Sequence, residues 1–367
     1  MVFSNQRGKD EGNPGNQQSV VTRLVTSFLL VFGLAVLHTG CARHNVRYVS
    51  SAFYFWRTDF SLSTDEQNRL ETLGAQRVYV RMFDVDWDIG AGKAYPVQTL
   101  RGTRDTTMKA EIVPTIFITN RTFTHIPPSG VSELAGRILR LTLSLTSALR
   151  FPPVHEMQID CDWTEGTRGK YFALARELRA LLLDEDMVLS ATIRLHQVKY
   201  RNRTGVPPVD RGVLMFYNMG EIDNPDALNS ILDLDAARKY IASLDDYPLP
   251  LDVALPLYSW GVVYRRGRVV DLINNVTRTN FSDDATFALH GDRAEVLKSS
   301  FVDYRFLYAG DVVRLENVPV RKLHDAASLL ARHIHADSLR VVFFHLDSQT
   351  IHGYKNEDLQ TVCAAFR

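Results

Sequence analysis

The residues best able to do chemistry lie in the stretch QIDCDWTEG, residues 158 to 166. A strand alternates its faces, so Asp160, Asp162 and Thr164 share one side while Ile159, Cys161 and Trp163 share the other. Two carboxylates this close should not both ionise freely, and one pKa should rise unless an arginine or another donor intervenes. A carboxyl in that condition can serve as acid, base or orienting group near neutral pH. The plain alternative is a buried structural pair held by Arg81 or Arg194 from neighbouring strands. Glu165 is a further candidate acid. On a regular strand it turns to the opposite face, and only a bulge or the start of a loop would bring it back.

The elements that must hold these groups recur along the chain. Eight β-like runs stand out: SSAFYFWR, RVYVRMFDVDW, AEIVPTIFITN, HEMQIDCDW, MVLSATIRL, RGVLMFYN, LDVALPLYSW and LRVVFFHLD. Helical periodicity lies between several of them, most clearly in KYFALARELRALLLDE and VPVRKLHDAASLLARHIH. Alternating β and α units of this number and length predict an α/β fold, a (β/α)8 TIM barrel. An open doubly wound sheet is the second choice, although no glycine-rich phosphate loop follows the first strand. Residues 262–317, between the seventh and eighth runs, carry extra strand-like segments and predict a small β-rich insertion beside the barrel mouth. The domain reading is a signal segment over 1–40 and the barrel over 41–367.

In such a barrel the C-terminal strand ends form the active face. All four tryptophans, Trp56, Trp87, Trp163 and Trp260, fall at or just past such ends, where flat rings beside hydrogen-bonding groups suit the apolar faces of pyranose sugars. Polar groups gather at the same ends. They include Arg57 and Asp59, the set Asp84, Asp86 and Asp88, then Asn120 and Arg121, Arg194 and His196, Tyr217, Asn218 and Glu221, Tyr258, and finally His345 and Asp347. Each histidine has the bland alternative of a hydrogen-bonded rim residue.

These strand ends resemble those of glycoside hydrolase family 18, the chitinase-like barrels, and of related bacterial barrel families. MQIDCDWT aligns with the family's D-x-x-D-x-D-x-E run, commonly D-G-I-D-I-D-W-E. Asp160 and Asp162 then match its second and third acidic positions and Trp163 its tryptophan. Met157 replaces the first Asp, and Thr164 stands where the proton-donating Glu belongs. MFYN resembles the family's M-x-Y-D, which implies that Tyr217 supports a substrate N-acetyl group, with Asn218 replacing Asp. VALPLYSW resembles the seventh strand, after which the family often carries an α+β insertion. The family's tryptophan at the eighth strand end is absent, and Trp260 is a candidate to replace it. The resemblance implies cleavage assisted by the substrate's own N-acetyl oxygen, and without an acid at Thr164 that scheme lacks its donor, whose help is typically worth about 10²–10⁴-fold.

Lys and Arg together number 42 and so do Asp and Glu. The chain therefore has no overall field to gather nucleic acid, and a neutral glycan or oligosaccharide fits better. The run VTSFLLVFGLAVLHTGC is short for a membrane span and is preceded by Arg23, as in a secretory signal. LHTGC resembles a bacterial lipobox, which implies lipid on Cys41 and a place in the bacterial cell envelope, anchored to the outer membrane on its periplasmic or surface face. An ordinary signal peptide or uncleaved anchor is the alternative. Cys161 and Cys363 make no disulfide framework, and no Cys/His spacing suggests a metal or other cofactor.

Three functions follow as expectations. The first is a glycosidase with Asp160, Asp162, Glu165 and Tyr217 as its catalytic groups, Glu165 as the acid, and Glu221 or Asp347 as a second carboxylate. Substrate would lie on Trp56, Trp87, Trp163, Asn218, Tyr258, Trp260 and Asp347. The second is a carbohydrate-binding barrel without cleavage, and the third a surface lipoprotein whose mouth meets another protein or polymer.

Overall fold

The structure is a computed structural model describing residues 48–102 and 108–367. The apolar run and Cys41 lie outside the described residues. Eight parallel strands form the barrel: β1 (Tyr48–Phe55), β2 (Arg77–Asp88), β3 (Glu111–Ile118), β4 (Glu156–Asp160), β5 (Val188–Arg194), β6 (Arg211–Met215), β7 (Leu251–Pro256) and β8 (Ser338–Phe344). Each pairs with its sequence neighbour, and β1 pairs with both β8 and β2, which closes the sheet. Each overlaps one of the eight runs read from the sequence, five lying wholly inside and β1, β2 and β8 overrunning by one or two residues, because a strand buried on both faces must be apolar along most of its length.

Helices cover the outside, among them α1 (Thr64–Thr72), α2 (Val131–Ala148), α3 (Arg168–Leu183), α4 (Leu234–Ile241), α5 (Val320–Ala331) and α6 (Asn356–Ala364). The second unit departs from the pattern. β2 continues to Asp88 and turns back as an antiparallel strand, Lys93–Val97, with no helix among the described residues before β3.

The barrel interior is polar in layers. Near the strand starts, Arg340 bonds Glu156 at 2.7 Å and Tyr79 at 3.1 Å, and Asp252 accepts from Arg211 at 2.9 Å. One layer up, Gln158 accepts from the Tyr54 hydroxyl at 2.8 Å. These groups are inward because β4 alternates Glu156, Gln158 and Asp160 against Met157 and Ile159.

The insertion after β7 is an antiparallel sheet of five strands, ordered Arg268–Asn274, Trp260–Arg265, Val312–Glu316, Arg293–Val296 and Phe287–His290, with a separate hairpin at Ser300–Val302 and Arg305–Leu307. It has its own apolar core, including Val263, Phe281, Val302 and Leu307. Its first strand begins at Trp260, two residues before the expected start, so the same strand that leaves the mouth opens the insertion.

Candidate functional site

Asp160 ends β4 pointing into the barrel, almost fully buried, and accepts a hydrogen bond from Thr192 on β5 at 2.6 Å. Burial pushes its carboxyl up to about 6, against the opposing pull of the Arg194 guanidinium. Asp162, one step nearer solvent, is held by Arg194 through Nε at 2.5 Å and Nη2 at 3.2 Å. Arg194, at the end of β5, holds Asp162 as the structural alternative expected, but Asp162 is exposed and Asp160 is bonded by Thr192 instead, so the two do not form a buried arginine-held pair.

Across the mouth, β6 delivers Tyr217 and Asn218, and β7 delivers Tyr258, whose hydroxyl donates to Asn218 Oδ1. Asn218 has a positive φ of 54°, a conformation that asparagine tolerates better than most residues. Burial raises the hydroxyl pKa of both tyrosines, so both stay neutral donors. Trp260 packs edge to face on Tyr258 and donates Nε1–H to Glu316 at 2.9 Å. Trp56 directly follows β1 and Phe344 ends β8, their ring centroids 5.6 Å apart, and Phe344 also meets Tyr217 at 5.4 Å and Tyr258 at 5.8 Å.

These side chains enclose a cavity of about 580 Å³, with Arg81, Phe117, Asn274, Asn275 and His345 completing its wall. Burial lowers the His345 pKa, and its buried Nδ1 has no hydrogen-bond partner. The opening is therefore aromatic and polar rather than aliphatic.

Several expected members lie elsewhere. Trp163 is 1% exposed, stacked on Tyr171 of α3 at 4.8 Å, with its Nε1–H bonded to Thr204 O. The alternation that aims Asp160 and Asp162 inward sends Trp163 out among the helices. Trp87 stacks on His125 at 6.0 Å beyond the barrel, because β2 runs on past the mouth. Two of the four indoles, not four, reach the cavity. Glu165 also turns outward, where it is exposed and accepts from Arg203 Nε at 2.9 Å, and Thr164 bonds Thr167 rather than entering the cavity. Asp347 caps the helix Ser348–Ile351 and faces Arg57 at 3.6 Å on the rim, and Glu221 is exposed beside Asn224. The glycosidase expectation thus loses its assigned acid and both of its assigned second carboxylates from the cavity wall.

The aspartates of β2 are displaced by a bulge. Arg81 pairs with Thr115 and Phe83 with Ile116, so Met82 is the extra residue. This puts Arg81 and Asp84, which are three apart, on one side, where Arg81 Nε bonds Asp84 at 2.7 Å. Asp86 is held by Arg121 and Thr119, well below the usual carboxylate range at about 2. Sequence reading missed Arg81 and Phe117 as wall residues, and Asn274 and Asn275 because they come from the insertion. Phe344 was legible only as a missing tryptophan. Among the described residues no group of three His, Cys, Asp or Glu side chains is placed to hold a metal ion.

No family model matches the chain, and no curated protein matches it in sequence. Solved structures do. The spore cortex-lytic enzyme SleL of Bacillus megaterium QM B1551 superposes with a TM-score of 0.53 at 11% identity, covering 88% of this chain and 75% of that one. A chitinase of Chromobacterium violaceum ATCC 12472 gives 0.52 at 10%, covering 86% and 99%. The GH18 chitinase ChiB of Flavobacterium johnsoniae gives 0.52 at 11%, covering 87% and 94%. The fold is a family 18-like TIM barrel. At these identities the likeness is one of fold, and the cavity's chemistry rests on its own residues.

Proposed function

We propose that the barrel mouth binds a neutral oligosaccharide of N-acetylated amino sugars, and that the chain does so in a bacterial cell envelope, held by lipid on Cys41. The observation that carries the binding reading is the convergence of Trp56, Phe344, Tyr217, Tyr258 and Trp260 from four different parts of the chain around one cavity. Sugar faces would lie against the rings, and hydroxyls would meet Asn218 and Asn274. The fold shared with chitinases and the match of Tyr217 to their tyrosine support the N-acetylated class. The sequence LHTGC supports the anchor.

Binding without cleavage is the better reading of the site. No carboxyl stands at position 164, Glu165 is engaged by Arg203, and Asp162 is engaged by Arg194. A second reading, cleavage with Asp160 as the acid, is favoured by its carboxyl titrating at about 6, within the range a general acid needs. Calorimetry and reducing-end release with chito-oligosaccharides separate the two. The expected result is saturable binding with no product released on long incubation, in line with a cavity wall whose carboxylates are Asp160 and the Arg194-held Asp162. Cleavage by the wild type that Asp160→Asn abolishes would establish the second reading. Absence of affinity for any saccharide tested would end both.

A further inference from the structure

The insertion carries a second surface with no use in the mouth. Its first strand runs from Trp260 to Arg265, so Arg265 lies about 17 Å along the strand from the cavity. There the hairpin Ser300–Val302 and Arg305–Leu307 turns Val302 and Leu307 into the insertion core and Phe301 and Phe306 outward, directly opposite each other in register. Phe301 is 68% exposed and Tyr304, at the tip, 96%. Tyr308 joins them, packed on Phe306 at 4.9 Å. Singly exposed aromatics are ordinary on a protein surface, but a contiguous group marks a contact site. Asp303 and Tyr304 both have positive φ, the arrangement of a type I′ turn, which favours glycine in the second place. A tyrosine there contributes nothing to the fold's interior.

Charge and ring geometry select the partner. The neighbouring turn is Arg265-Arg266-Gly267-Arg268, and it is tied to the hairpin region by Arg265, which lies over the Tyr308 ring and bonds Asp311. Arg305 lies 3.8 Å from Asp271, whereas Arg266 and Arg268 are exposed and have no ion pair among the described residues. Asp303 is the one exposed acid within the hairpin itself. The patch is thus aromatic with surplus positive charge. Phe301 and Phe306 are inclined at 63° and Phe306 and Tyr308 at 90°, so these rings offer no common plane on which successive sugars could stack. Wedged aromatic rings flanked by arginines suit instead the headgroup zone of a bilayer that contains anionic lipid.

We propose that this hairpin is a membrane contact that docks on an anionic phospholipid surface. It rests in part on the anchoring reading, since lipid on Cys41 would hold the chain at a bilayer and so raise the effective concentration of headgroups at an exposed patch. The hairpin would then fix which way the barrel mouth faces.

The test uses the full chain bearing Tyr304→Cys, labelled there with an environment-sensitive fluorophore and mixed with phosphatidylcholine vesicles with or without phosphatidylglycerol. Cys161 and Cys363 are buried, and the chain retaining Tyr304 controls for labelling elsewhere. Flotation of the chain with vesicles reports the anchor, and the fluorophore reports the hairpin, so the two readings fail separately. The expected result is a blue shift and several-fold quenching by lipid-borne quenchers in the anionic vesicles. Both should be lost in Arg266→Glu/Arg268→Glu and in Phe301→Ser/Phe306→Ser while flotation persists. A fluorophore that stays water-exposed on floating vesicles overturns the proposal. So does equal immersion in neutral vesicles, or a response to soluble chito-oligosaccharide without vesicles.

Discussion

Arg194 grips Asp162 with two hydrogen bonds and makes none to Asp160, which is left to the Thr192 hydroxyl beneath it. The two aspartates, two residues apart on one strand face, therefore live in opposite conditions. One is at the surface with its cation, and the other is buried with a neutral donor.

A pH dependence follows from Asp160. Its folded-state value of about 6 lies above the usual 3.8, so the folded chain binds this proton more tightly than the unfolded chain. The stability contributed by the protonated form is complete below about pH 4 and is lost as pH rises through about 6, at most about 3 kcal/mol for a shift of this size. Asp160→Asn keeps an acceptor for Thr192 and removes the titration. Denaturant unfolding of both proteins from pH 4 to 7 should show the variant gaining on wild type as pH rises. Parallel profiles would mean that Asp160 is not buried as described.

The two indoles nearest the family motif should behave in opposite ways. Trp163→Ala removes a ring buried against Tyr171 and leaves the Thr204 carbonyl without its donor. A stability loss of about 3–5 kcal/mol is expected, with saccharide affinity unchanged in whatever fraction remains folded. Trp260→Phe keeps a ring of similar character, drops the bond to Glu316 and reduces the aromatic area at the cavity wall. It should weaken binding with a smaller change in stability. Thermal unfolding and calorimetry on the same preparations decide it, and the reverse pattern would place Trp163 in the site.

This contrast shows what sequence spacing can and cannot resolve. The strands were legible because burial on both faces forces continuous apolar runs, and the inward set on β4 was legible because strand period is two. The same period, applied to position 163, points away from the mouth, so placing Trp163 with the sugar site followed its position at a strand end and not the alternation. On β2 alternation failed, since the extra residue Met82 leaves no mark in the residue types. Glu165 was undecidable locally, because the strand ends at Asp160 and the direction of a residue in the turn that follows is not set by strand alternation. The insertion was visible as strands. Its supply of Asn274 and Asn275 to the cavity was not, because that depends on how the insertion sheet packs on the barrel.

Glu316 joins those two parts. Its side chain is fully buried and accepts from Ser230 N at 2.7 Å, Ser230 Oγ at 2.8 Å, Trp260 Nε1 at 2.9 Å and Arg314 Nε at 2.7 Å. Ser230 belongs to the loop after β6 whose Ile231 carbonyl receives the Asn218 amide at 2.7 Å, so one carboxylate fastens a cavity strand end, a cavity indole and the last insertion strand. Glu316→Leu leaves Arg314, itself nearly fully buried, without its anion. Losing one partner of a buried pair costs about 3–5 kcal/mol. Arg314→Met removes the other partner but leaves Ser230 and Trp260 bonded to the carboxylate. Both variants should lower the unfolding midpoint, and Glu316→Leu should also loosen Trp260 and weaken saccharide binding more than Arg314→Met does. Equal affinity losses at matched stability would show that Glu316 serves the insertion core alone and does not set the cavity wall.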